Sequence, residues 1–283
     1  MRSFLQRLVD LLLYGDFWIA ACATALVWQT QTVLTGTARL SPLAGFVWFS
    51  TLFTYALHRS IGLRKMAAFD ERGRYRIIVR YRYHIRLYAA VGAVGALITF
   101  WSLSPTLRWW IVLPALVSVG YVLPVPGLGG RRLRDLPGIK IFLIAGSFTW
   151  VTVILPAVEA YALGQWYVWL LALERACFVF ALTVPFDVRD RHIDAAARVP
   201  TLPALLGNRR AIQLALVALA VAAAATLFLY RLDVYAPGTT VAILLSLLVS
   251  SYFVHLAPRR RHDYYFTGLL DGMMLLQAGL VVA

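Results

Sequence analysis

Long apolar runs, one after another and separated by short basic segments, constrain this chain more than any other feature. They lie at about 17–34, 43–63, 87–103, 109–124, 138–158, 165–185, 211–230, 238–256 and 264–283. A helix needs about 20 apolar residues to cross ~30 Å of hydrocarbon, so nine such runs use most of the 283 residues. The remainder suffices for short connections and one or two functional loops, which excludes a large extramembrane domain. In lipid, every backbone N–H and C=O must bond within its own segment, so each run is predicted to be a helix. Composition agrees: 61% of residues are hydrophobic and 14% charged, against roughly 45–50% and about 25% in soluble domains. The predicted fold class is therefore all-α, a multi-pass bundle of nine transmembrane helices forming one integral-membrane domain over 1–283. The run at 109–124 is short and contains Pro114, which leaves eight spans as the other count.

The net charge is +14, from 27 Lys+Arg against 13 Asp+Glu. In a soluble chain that excess would suggest nucleic acid, but no nucleic-acid-reading motif is present and the basic residues sit between apolar runs. With the N-terminus in the cytosol, the cytosolic segments hold 23 of the basic residues and the opposite loops only Arg39, Arg108 and Arg231. The positive-inside rule then predicts N-in and C-out, with the basic loops against anionic headgroups of a prokaryotic plasma membrane. Cys22 and Cys177 lie far apart inside apolar runs, so neither a disulfide framework nor a zinc site is expected. Asp10 and Asp16 interrupt the first apolar stretch, and no small-residue cleavage site follows, which argues against a signal peptide.

Two cytosolic connections, 64–86 and 186–210, are longer than turns, and long loops in compact proteins tend to be functional. The second opens with Phe186-Asp187-Val188-Arg189-Asp190-Arg191-His192-Ile193-Asp194. On a helix, Asp190 and Asp194 fall at about −60° and −20° from Asp187, so three carboxylates share one arc. A divalent cation relieves repulsion in such a trio, and Mg²⁺ accepts one or two carboxylates together with substrate phosphate oxygens. Arg189 and Arg191 are placed to hold phosphates. The other reading of the segment is a solvated helix end whose Asp and Arg side chains neutralise one another.

Thr201-Leu202-Pro203-Ala204-Leu205-Leu206-Gly207 follows, and then a new apolar run. The spacing RDxxxD, then TLPxLLG, then a membrane helix resembles the second signature of the UbiA-type intramembrane prenyltransferases. Tyr121-Val122-Leu123-Pro124 and the basic loop to Lys140 resemble that family's connection between spans 4 and 5. The resemblance implies a helical bundle around a central cavity opening to the cytosol, with 64–86 and 186–210 over its mouth. It implies Mg²⁺ as cofactor, a prenyl diphosphate as donor and a hydrophobic acceptor as partner. Asp190 and Asp194 would be the catalytic carboxylates, with Asp187 completing the metal set. Arg59, Arg64, Lys140, Arg189 and Arg191 would contact the diphosphate. The family's first signature, NDxxDxxxD, should follow the second run. Here Tyr55-Ala56-Leu57-His58-Arg59-Ser60-Ile61-Gly62-Leu63-Arg64 stands in its place without a carboxylate.

His58 with Arg59 reads as a diphosphate clamp or as an anchor at the membrane boundary. Tyr121 and Asp271 could face the same cavity, and Asp271 could equally cap a helix. Glu174 and Arg175, deep in the sixth run, read as a buried structural pair or as functional charge. Two functions follow. One is Mg²⁺-assisted transfer of an isoprenoid group from a prenyl diphosphate to a lipid-soluble acceptor. The alternative is a catalytically degenerate homologue that binds membrane lipids or acts as a scaffold. A transporter would show inverted repeats or broken helices in matching halves, and the sequence has neither.

Overall fold

The computed structural model describes residues 4–66, 82–196 and 199–283, and their regular structure is entirely helical. Helix α1 (Phe4–Tyr14) turns at Gly15 and Asp16 into α2 (Phe17–Thr35). Then come α3 (Pro42–Met66), α4 (Arg82–Trp101) and α5 (Pro105–Val122). Two further rods follow, α6 (Lys140–Glu159) and α7 (Trp166–Ala196). The chain finishes with α8 (Leu202–Leu206), α9 (Asn208–Arg231), α10 (Pro237–Leu256) and α11 (Tyr264–Val282).

Among the described residues, eight helices are long and apolar enough to cross a membrane: α2, α4, α5, α6, α7, α9, α10 and α11. This is an integral membrane protein. Helix α3 has the length, 25 residues, but its last turns carry His58, Arg59, Arg64 and Lys65, and its hydropathy falls short. The expected count of nine therefore meets eight spans and one helix of mixed character.

Helices α2, α11, α10, α9, α7 and α6 pack in sequence, and α6 returns to α2 through Trp150–Ile154, closing a ring. Its core holds Leu26, Phe178, Ile243 and Phe266, each nearly inaccessible. Helices α3 and α4 form an arm beside α2. Two glycines explain how close these arms lie. A Cβ on Gly92 would stand 2.8 Å from the Phe53 backbone nitrogen, and one on Gly95 would meet the Phe49 ring at 2.4 Å. Small residues of this kind let membrane helices approach by backbone where no hydrophobic force between helices exists. The rest of α4 shows Val94, Leu97 and Ile98 to the outside, as a lipid-facing helix should.

One end of the bundle carries exposed Trp101, Trp109, Trp166 and Trp169, the aromatic belt of a membrane interface. The other end carries the charged cluster described below. Inside, polar side chains are mostly satisfied locally. Thr30, Thr152 and Thr183 donate to carbonyls one turn back, and Gln277 Nε2 donates to Ser246 Oγ at 3.1 Å.

The sequence and the structure part in three places. Pro114 stays inside α5, whose start is fixed by Ser104 accepting from the Leu107 N–H at 3.3 Å. In α6, residues Trp150–Ile154 wind as a π turn, a local expansion that periodicity does not reveal. The segment 186–210, expected as a loop, is helical over most of its length. Helix α7 runs through Pro185 to Ala196, and α8 takes up 202–206. Of the other expected loop, 67–81 lies outside the described residues.

Candidate functional site

Helix α7 leaves the apolar region at Pro185 and carries Asp187, Asp190 and Asp194 on its last three turns. The end of the helix is fixed by its neighbours. The Val199 N–H donates to the Asp194 carbonyl at 2.9 Å, and the Gly138 N–H donates to the Pro200 carbonyl at 2.9 Å. Gly138 sits at φ 69°, a conformation that costs other residues a Cβ clash. That turn delivers Lys140 to the first position of α6, beside α7.

Lys140 is the hub. Its Nζ lies 2.7 Å from Asp187 Oδ1 and 3.1 Å from Asp194 Oδ2, with all three side chains largely buried. The Asp194 contact is a hydrogen bond. The Asp187 contact is a close ion pair outside hydrogen-bond angles, and neither Asp187 oxygen has a hydrogen-bond partner.

Asp190 does not join this pair. Its two oxygens accept from Arg189 Nε and Nη2 at 2.7 and 2.8 Å, and Arg189 Nη1 reaches Asp263 Oδ1 at 3.1 Å. The guanidinium is also held over the rings of Phe186 and Phe266, at 5.3 and 4.8 Å. The three carboxylates expected around one ion are therefore divided in this structure: Asp187 and Asp194 share Lys140, and Asp190 is held by Arg189. On the helix, Asp187 and Asp194 differ by only about 20°, whereas Asp190 stands about 60° from Asp187, enough to turn it to another partner. Among the described residues no group of three His, Cys, Asp or Glu side chains is placed to hold a metal.

Across from Lys140 stands the polar end of α3 and α5. His58 Nε2 contacts Arg134 Nη1, and the Arg134 guanidinium lies 5.2 Å from the Tyr121 ring. The His58 and Tyr121 rings are 6.0 Å apart, edge to face. Tyr121 is within electrostatic reach of Arg134, Lys140, Asp187 and Asp194, so three of the expected site residues meet around it, with His58 as a fourth. Arg132 closes the loop beneath by bonding Asp135 through its backbone N–H, Nε and Nη2 at 3.1, 2.9 and 2.7 Å. Partial burial alone would raise the Asp135 carboxyl, but the hydrogen bonds and charge of Arg132 outweigh it and hold the group below its ordinary range.

The remaining expected residues scatter. Arg59 bonds Asp16, a buried residue at φ 66° in the turn before α2, so it serves a local pair rather than a clamp with His58. Arg191 is exposed and donates to Asn208 at 3.2 Å. Asp271 lies inside α11 within reach of Arg189, and its carbonyl accepts from the Cys22 thiol at 3.2 Å. The side chain of Arg64 lies outside the described residues. The sequence marks Asp16 only as an interruption of the first apolar stretch, and it gives Arg134 and Asp263 no role. A count of acids opposite unpaired arginines would have raised Asp16 and Asp263, but not their partners.

Two pockets lie elsewhere. One, of only about 10 Å³, is bordered by Gln29, Thr30, Arg175 and Tyr235, and the other, an open cleft of about 190 Å³, lies near Ser104, Glu159 and the exposed Tyr161. Neither is lined by the Lys140 cluster, so the cavity expected at the mouth is not one of these two.

The sequence profile of the UbiA prenyltransferase family matches residues 64–274. The fold is similar to the apo structure of a UbiA homolog from Aeropyrum pernix K1, with a TM-score of 0.67 and 12% identity over 95% of this chain and 97% of that one. It is also similar to a UbiA homolog from Archaeoglobus fulgidus bound to GPP and Mg²⁺, with a TM-score of 0.63 and 12% identity over 96% and 99%. A structure concerned with digeranylgeranylglyceryl phosphate synthase aligns at a TM-score of 0.61 and 13% identity over 98% of both chains. No curated protein matches the sequence. At these identities the likeness establishes the fold.

Proposed function

The chain belongs to the UbiA prenyltransferase family, and from that premise we propose that it transfers an isoprenoid group from a prenyl diphosphate to a lipid-soluble acceptor. The reaction would take place at the charged end of the bundle, which the basic loops assign to the cytosol. The observation that carries this reading is the Asp187–Lys140–Asp194 bridge, a cation held between two buried carboxylates beside Tyr121 and Arg134.

The donor set fits a divalent cation in one respect. Asp187 and Asp194 already share a positive charge, and both Asp187 oxygens lack a hydrogen-bond partner. Mg²⁺ needs no more than one or two protein carboxylates when phosphate oxygens and waters complete its shell. Asp190 does not fit, because Arg189 occupies both its oxygens. When bound, the metal would supply neutralisation of the charge that develops on the departing diphosphate. Lys140 and Arg134 would bind phosphate oxygens, and Tyr121 would form the wall between the diphosphate and the apolar chain. The lipid-facing bundle would keep water from the allylic group.

The test is pyrophosphate release from labelled GPP or DMAPP by the purified protein. Asp187→Asn and Asp194→Asn should each lower turnover by about 10²-fold or more, the scale of losing one preorganised electrostatic contact. Turnover that ignores both substitutions would remove the mechanism.

A second reading has its own observation. The end of α3 offers Arg59, already paired with Asp16, where the family's first signature has acids. A degenerate homologue would bind a prenyl diphosphate or lipid without releasing pyrophosphate, and the same assay read beside a binding measurement separates the two.

A further inference from the structure

Two buried carboxylates side by side are relieved by a proton or by a cation. In this protein that cation is the ammonium of Lys140, and several features leave it loosely held. It stands on the first residue of α6, where the helix dipole disfavours positive charge. Its stem is long and flexible, whereas the neighbouring Arg189 is fixed by Asp190, Asp263 and two aromatic rings. One ammonium also offsets only one of the two negative charges it touches.

We propose that Lys140 is a placeholder for the divalent cation: it occupies the Asp187–Asp194 pair in the resting protein, yields the pair when the metal arrives, and turns to the phosphate oxygens of the substrate. The hand-over to phosphate rests on the function proposed above; the exchange with metal does not. The charge balance supports it. A +2 ion satisfies both carboxylates, and the displaced ammonium becomes one more positive charge for a diphosphate. Tyr121, within electrostatic reach of Lys140, and Arg134, 5.2 Å from the Tyr121 ring, belong to the same cluster and supply the other groups a diphosphate would meet. Lys140 is thus a positioning residue for the metal before it becomes a substrate contact.

The chain contains only two lysines, Lys65 and Lys140, so amine acylation followed by mass spectrometry reads Lys140 directly in the unaltered protein. The expected pattern is slow acylation of Lys140 with chelator, several-fold faster with Mg²⁺ alone, and slow again with Mg²⁺ plus inorganic pyrophosphate. A Lys140 rate that ignores Mg²⁺ overturns the proposal. Release by Mg²⁺ without renewed protection by pyrophosphate or GPP keeps the exchange and removes the diphosphate reading beneath the hand-over. Lys140→Met should bind Mn²⁺ about tenfold more tightly than wild type, the factor given by ~1.4 kcal/mol of removed competition. Equal Mn²⁺ affinity in a folded variant would again overturn the placeholder. Should that variant not fold, Asp194→Asn gives the matching check: Lys140 acylation that no longer responds to Mg²⁺.

Discussion

Helix α7 carries two buried acid–base groups, and they are built on opposite plans. In mid-helix, Glu174 is held by uncharged donors, Tyr235 Oη at 3.0 Å and Thr226 Oγ1 at 3.1 Å, from the neighbouring α9 and the segment before α10. Its charged neighbour Arg175 is just as buried but keeps Nε and Nη1 without partners. Three turns later, Asp187 has a charged partner on a flexible stem and no hydrogen bond. The first arrangement fixes a carboxylate in place with rigid hydroxyls. The second leaves it neutralised but open to exchange. Burial of charge in a membrane is therefore no sufficient sign of chemistry; the type of partner separates the two sites.

Substitutions can break or sharpen that contrast. Glu174→Ala should be the most damaging, because it strands the buried Arg175 charge. A loss of roughly 3–5 kcal/mol is expected, measured by unfolding in detergent, and an undiminished stability would mean that the mid-helix pair is not structural. Tyr235→Phe removes one donor from a charged acceptor and should lower stability by about 1.5–3 kcal/mol without touching metal or diphosphate binding. Asp187→Asn should cost less stability than Glu174→Ala, since Lys140 keeps Asp194 as a partner and no buried charge is stranded, while substrate turnover collapses. A large stability loss there would erase the distinction between the two sites. The smallest effect concerns Asp135. Its carboxyl is held below its ordinary range in the folded protein, so its contribution is present above the ordinary carboxylate pKa and fades as pH falls through the lowered one. Limited proteolysis of the 123–139 loop should accelerate in that acid window, and Asp135→Asn should remove the pH dependence.

The bundle was largely readable from the chain because lipid enforces it: an apolar run of membrane length has no alternative to helix. What escaped was everything set by tertiary contact. The apolar run closes at 185, yet α7 continues past it, since the Asp-rich turns beyond gain partners from α6 and from residues near α11. The three aspartates were visible, and so were Lys140 and Arg189. Which base would claim which acid was not, because a difference of tens of degrees around one helix decides it. Arg59 reads as a phosphate contact in the sequence because its partner, Asp16, is 43 positions away and lies at a turn with no motif of its own.

The π turn at Trp150–Ile154 has a consequence for the lineage of this chain. A turn wound with one residue too many acts as a phase shifter, rotating whatever precedes it by about 100° against whatever follows. Losing a single residue there would leave α6 apolar, continuous and long enough to span, so hydropathy would register no change. Yet with Leu155–Glu159 held by their neighbours, Lys140 would swing away from α7 and both aspartates would lose their counter-charge. In this fold one silent-looking deletion, some ten residues away, would be enough to part Lys140 from both aspartates while sparing the bundle.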